Sequence, residues 1–322
     1  MTDRHVVLGA GPVGTHLAQV LAARGHEVQV ATRRATAVPM PTAAPAGGSI
    51  TAVALDASDA EALTRLVDGA TAFYNCINPA AYPQWERLWP PVHAALMTAA
   101  ERTGTVLAVT GNLYPYGPVD RPMVEGMPDA ATDHKGRLRA RMWADLAQAH
   151  RAGRLRAVEV RGSDYVGPGV GPNGHVTRLL PALLRGRTGW AVDSADLPHS
   201  WTDVLDVART LAAVADRPDT WGRIWHVPTN EPRTLRQAVT DVLAAAGRPP
   251  GRIRSVPDPI VAAIGRINPM MREVRELRYQ RTRGYVLDSS LAQRELDLAP
   301  TPWERVCART AGVTDAWTRE RH

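Results

Sequence analysis

"HVVLGAGPVGTHLAQVLAARGHEVQVATRR", residues 5–34, is the stretch that decides the fold. It reads as strand, glycine turn, helix, strand. His5 to Leu8 is a short β-branched run, and Gly9, Gly11 and Gly14 form G-x-G-x-x-G. Thr15 to Arg24 has helical periodicity with Leu17, Val20 and Leu21 on one face; Gly25 ends it, and "HEVQV" starts a second strand. In such a unit Gly9 permits a tight turn, Gly11 leaves the backbone open to a pyrophosphate, and Gly14 lets helix and strand pack closely. The free N–H groups and positive dipole end of the helix face the phosphates, so Pro12 and Val13 join the glycines as expected cofactor contacts. Strand before and helix after are the context that ties the motif to a dinucleotide.

The end of the second strand sets the expected cofactor. NAD sites usually place Asp or Glu there, on the ribose hydroxyl. Here the strand ends Ala31-Thr32-Arg33-Arg34, with no acid and two guanidiniums suited to a phosphate. The expectation is NADP(H) over NAD(H), contacted by Thr32, Arg33 and Arg34.

Beyond a Pro/Ala/Gly-rich loop at 35–48, the chain alternates. "SITAVALD", "TAFYNCIN" and "TVLAVTGN" read as strands, "DAEALTRLVDGA" and "ERLWPPVHAALMTAAERTG" as helices. The alternation predicts an α/β fold: a Rossmann-like doubly wound parallel sheet with a smaller C-terminal substrate domain. The expected division gives residues 1–165 and roughly 200–228 to the cofactor domain, and 166–199 and 229–322 to the substrate domain. Ligands bind at the carboxyl ends of parallel strands, which marks Asp56, then Cys76 and Asn78, then Thr110 to Asn112.

Composition excludes other classes. Of the 322 residues 44% are hydrophobic, enough for a sizeable core. No apolar run has membrane-spanning length, and no signal peptide is expected at the N-terminus. Two cysteines, Cys76 and Cys307, give neither a disulfide framework nor a metal spacing, so a cytoplasmic protein without a metal site is expected. The formal charge of +6 comes from arginines spread along the chain, not from a basic run, so no nucleic-acid partner is expected.

Six segments then follow one another. They are residues 7–34, "ALDASDAEAL" with Asp56, "VTGNLYPYGP" ending in Tyr116-Gly117, "RGSDYVGPG" with Arg161, "WTDVLDVARTL" with Asp206-Val207-Ala208, and "GYVLDSSLAQRELDLAPTPWE". Their order and spacing resemble the extended short-chain dehydrogenase/reductase family, the NAD-dependent epimerases and dehydratases. The resemblance implies hydride transfer between a bound nicotinamide and a carbonyl or alcohol carbon, an adenine contact at Asp56, a small-molecule substrate and a homodimer. It also implies a tyrosine general acid/base, a lysine one helical turn later, and a serine or threonine on the preceding strand.

The chain departs from that site. The serine position falls at Asn112, whose amide donates a hydrogen bond but is no base. Setting "DHKGRLRAR" on the catalytic helix puts Asp133 at the tyrosine and Arg137 at the lysine, a pair that also reads as a surface salt bridge. Lys135, the sole lysine of the chain, falls between these registers; its ammonium suits acid/base work or a cofactor clamp. Tyr114 is the open alternative proton donor, and Tyr116 reads as packing. Nucleotide-sugar enzymes carry an asparagine and an arginine where this chain has Asp164 and His199. A carboxylate repels phosphate, so a smaller, less charged metabolite is expected against Asp164, Tyr165 and His199. Three functions fit: an NADP(H)-dependent oxidoreductase on a small carbonyl or alcohol, an epimerase or dehydratase with transient hydride transfer, and a non-catalytic NADP(H)-binding sensor.

Overall fold

Val6, Val7 and Leu8 are fully buried, so strand β1 (Arg4–Leu8) needs apolar cover on both faces and takes the middle of a sheet. The computed structural model describes residues 3–42, 47–79 and 82–312; residues 43–46 of the first long loop lie outside them. On one side of β1 lie β2 (Glu27–Thr32) and β3 (Ser49–Ala54). On the other lie β4 (Ala72–Asn75), β5 (Val106–Asn112), β6 (Ala157–Gly162) and, later in the chain, β10 (Ile224–His226). The order is β10-β6-β5-β4-β1-β2-β3, and every neighbouring pair is parallel.

Helices α1 (Pro12–Ala23) and α6 (Val204–Ala215) cover one face; α2 (Ala60–Val67), α3 (Trp85–Thr103) and α4 (His134–Arg151) cover the other. This is the expected doubly wound parallel sheet. The chain reverses direction across the sheet between β1 and β4, which opens a crevice at their carboxyl ends.

A smaller body gathers around α5 (Leu180–Leu183), α7 (Leu235–Ala245) and α12 (Trp303–Thr310), with two short parallel pairs. These pairs are β7 (Asp164–Val166) with β9 (Trp201–Asp203), and β8 (Gly189–Val192) with β11 (Ile253–Val256). Between β11 and α12 run α8 (Asp258–Gly265), α9 (Pro269–Glu276), α10 (Tyr279–Thr282) and α11 (Ser290–Leu296). The arginine-rich stretch 271–283 is thus two helices, not one. The Arg281 guanidinium turns back to the carbonyls of Val274 (2.7 Å) and Leu277 (3.4 Å), satisfying them where α9 stops. Among the described residues no helix is long and apolar enough to cross a membrane.

Candidate active site

The glycine turn has the geometry its motif demands. Gly9 sits at φ +101° and donates its N–H to Ala31 O at 2.9 Å. A Cβ on Gly14 would lie 1.9 Å from the Gly9 carbonyl oxygen, so only glycine lets α1 meet β1 there. Gly11 is the N-cap of α1, has no side chain to bond the free N–H groups, and would meet nothing within 4 Å if given a Cβ. That open, uncapped helix start, with Pro12 and Val13 in its first turn, fits a pyrophosphate. Gly169 of the later glycine loop approaches Pro12, bringing that loop beside the turn.

At the far end of the crevice, Thr32 Oγ1 accepts from the Thr36 N–H at 2.8 Å, and Arg33 and Arg34 are exposed. Asp56, just past β3, accepts from the Ser58 N–H (3.0 Å) and hydroxyl (2.7 Å). Those bonds first, and the nearby Arg33 after them, hold its carboxyl below the usual carboxylate range. Arg33 is near enough for its charge to favour the Asp56 carboxylate, with no ion pair between them among the described residues.

Near the middle of the crevice, Thr110 Oγ1 points to Cys76 Sγ at 3.7 Å, while Asn78 is exposed. Burial pushes the Cys76 thiol up to about 12, so it stays protonated and is no nucleophile. Asn112 Oδ1 accepts from the Tyr114 N–H at 3.1 Å, which leaves the amide NH2 as its donor. Tyr165 Oη reaches the Gly111 carbonyl at 3.4 Å. Tyr114 Oη lies 2.9 Å from Tyr82 Oη, and burial raises both phenols, so both remain protonated.

Helix α4 and its N-cap carry the candidate residues Asp133, Lys135 and Arg137. Its buried stripe is Lys135, Leu138, Arg139, Met142, Trp143 and Leu146. Asp133 is the N-cap, accepting from the Gly136 N–H at 2.7 Å, and Arg137 is exposed. Asp133 thus caps the first turn of α4, and Arg137 faces solvent. The i,i+4 pair on the buried stripe is Lys135 and Arg139. Arg139, which the sequence reading missed, donates from Nη2 to Thr110 O at 2.5 Å and lies 4.8 Å over the Trp89 ring; its Nε has no partner among the described residues. The apolar spacing of Leu138, Met142 and Leu146 was the signal that traces back to both. Lys135 is wholly buried, and its ammonium pairs with Glu273 and Glu276 of α9 beneath the Tyr82 ring. It faces neither water nor the glycine turn. Burial alone would raise Glu276, but Lys135 and His134 hold its carboxyl low.

Asp164 and His199 come together as a pair, Oδ2 to Nε2 at 2.8 Å, with His175 Nε2 at 3.9 Å. Burial opposes ionisation of Asp164, yet the imidazoles and the Arg281 guanidinium outweigh it and hold the carboxyl well below the usual range. Tyr116 is core packing, as read: its Oη lies 2.8 Å from His226 Nε2.

Residues 5–227 match the model of the NAD dependent epimerase/dehydratase family. No curated protein matches the chain. Among solved structures, WbmH from Bordetella bronchiseptica in complex with NAD+ is 17% identical over 100% of both chains, TM-score 0.71. A double mutant of DesIV, a dTDP-glucose 4,6-dehydratase from Streptomyces venezuelae with NAD and DAU bound, is 21% identical over 98% of this chain and 97% of that one, TM-score 0.75. MoeE5 in complex with UDP-glucose and NAD is 23% identical over 99% of both chains, TM-score 0.73. All three hold NAD, a finding that overturns the expected NADP(H) preference. Arg33 and Arg34 are exposed, and Arg33 lies near enough to the Asp56 carboxylate for its charge to favour it, which leaves that guanidinium less free for a 2′-phosphate.

Proposed function

The chain belongs to the NAD-dependent epimerase/dehydratase family, and we propose that it is an NAD(H)-dependent enzyme of the epimerase or dehydratase kind, oxidising and re-reducing one carbon of a hydroxylated small metabolite. NAD, when bound, supplies the hydride acceptor and donor. The observation that carries this reading is the Lys135–Arg139 pair, one turn apart on the buried stripe of α4 beside β5. In that register Lys135 stands where the family has its tyrosine and Arg139 where it has its lysine.

Arg139, fixed by the Thr110 carbonyl and the Trp89 ring, keeps its charge at any working pH and offers Nε to the cofactor ribose. Asn112 donates its amide N–H to the substrate oxygen. Lys135 Nζ moves the proton to and from that oxygen once Glu273 and Glu276 give way. Tyr114 stays protonated and orients the substrate through Tyr82.

The test is product formation without net cofactor change when the NAD-loaded protein meets a panel of sugars and sugar nucleotides. Steady NADH consumption with simple carbonyls would sink this reading in favour of an ordinary reductase. Tight NAD with no turnover of any compound would favour a sensor.

A further inference from the structure

We propose that Arg178 anchors an anionic group, carboxylate or phosphate, carried by the substrate of this site; the inference rests on the enzymatic reading above. Arg178 is half-buried, and its Nε and Nη2 are enclosed with no hydrogen-bond partner among the described residues. No carboxylate stands within ion-pair distance of it among those residues, whereas enclosed Arg161 and Arg281 have Asp129, Glu159 and Asp193; Arg139, also without an ion pair, is held by the Thr110 carbonyl and the Trp89 ring. Enclosed guanidinium donors left unmade are costly, and folded proteins satisfy them. An acceptor with two oxygens is the partner that a guanidinium fork matches.

The surroundings suit an anion. Arg178 donates its backbone N–H to Gly174 O at 3.0 Å, a helical turn that sets His175 and Arg178 on one side. His175 also lines a small cavity with His199, Gln280 and Arg281, and Gln280 Nε2 and Tyr285 Oη are further buried polar atoms without a partner among the described residues. Burial first and the Arg281 charge next lower the Arg178 pKa, so two guanidiniums face this region. Of their counter-charges, Asp193 is shared between Arg281 (3.4 Å) and Arg278 (3.0 Å), and Asp164 is engaged by His199 at 2.8 Å. The Asp164 carboxylate favours the Arg178 charge from a distance but makes no hydrogen bond or ion pair with it among the described residues, so the Arg178 donors are left for the ligand. Arg178 and Asp164 also bear on Tyr82, whose hydroxyl meets Tyr114 beside Asn112. The substrate class is a metabolite with an oxidisable carbon at one end and an anionic group at the other.

The test uses NADH-loaded full-length protein and thermal unfolding with inorganic phosphate, glucose 6-phosphate, gluconate or glucose. The anions are expected to raise Tm by about 3 °C or more over glucose. That difference should vanish in Arg178→Gln and persist in part in Arg178→Lys, with NADH affinity unchanged in both variants. Gluconate against glucose 6-phosphate decides between carboxylate and phosphate. Equal effects of glucose and the anions, or an anion effect retained in Arg178→Gln, overturn the proposal. Failure to bind NADH at all would instead overturn the enzymatic reading on which it rests.

Discussion

Lys135 and Arg139 stand one turn apart on the buried stripe of α4 and meet opposite partners. Lys135 meets two carboxylates of α9; Arg139 meets a backbone carbonyl and the face of Trp89. Under the proposed function, Lys135 serves the proton and Arg139 the cofactor.

Lys135→Met should lower kcat about a hundredfold to ten-thousandfold, the worth of a positioned acid/base, and leave the NADH Kd within about threefold. It should also cost about 1–3 kcal/mol of stability, because Glu273 and Glu276 lose their counter-ion. Steady-state kinetics with urea unfolding checks both; full activity in the variant would remove Lys135 from the mechanism.

Gly11→Ala and Gly14→Ala should separate binding from folding. The first adds a methyl to open space, so stability stays close to wild type while NADH binding weakens at least about tenfold, near 1.4 kcal/mol. The second drives a methyl to 1.9 Å from the Gly9 carbonyl oxygen and should lower Tm outright. Calorimetric titration and thermal melts on the same samples distinguish them; a Gly11→Ala protein with normal affinity would contradict the pyrophosphate cradle.

Gly136→Ala should destabilise by about 1–3 kcal/mol although alanine favours helix by about 1 kcal/mol. The added Cβ would lie 2.4 Å from Ala131 Cβ and 2.6 Å from Tyr114 O, where α4 presses on the segment that follows β5. Urea unfolding is the check, and a more stable variant would mean that this approach is looser than described.

Stability should fall in acid through buried histidines. Burial lowers His226, and likewise His5, from the ordinary 6.5 to about 4. Between pH 6.5 and 4 the unfolded chain takes up protons that the folded chain refuses, so stability rises with pH across that window. Each group contributes up to about 3 kcal/mol. His226 lies with Nδ1 2.7 Å from Asp288 O and Nε2 2.8 Å from Tyr116 Oη, the arrangement of a neutral ring donating to one and accepting from the other. In His226→Asn the acid-induced loss should shrink by a comparable amount; an unchanged pH profile would show that this ring is not kept neutral.

The glycine turn and the βα alternation were legible because both are local: periodicity and turn chemistry lie within a few residues of one another. What the sequence hid was non-local. Arg33 looked like a phosphate clamp, but the fold sets Asp56, just past β3, near it. Asp164 was read alone, and the fold sets His199, just before β9, 2.8 Å from its carboxylate. The sequence reading paired Asp133 with Arg137 by charge, whereas the buried stripe through Leu138, Met142 and Leu146 carries Lys135 and Arg139.

The most direct measurement is a fluorescence titration of NADH and NADPH into the wild-type protein and Arg139→Met. The expected result is NADH bound at least about tenfold more tightly than NADPH, and NADH weakened about tenfold in the variant. Equal or tighter NADPH binding, or a variant that binds NADH like the wild type, would contradict an NAD site clamped by Arg139.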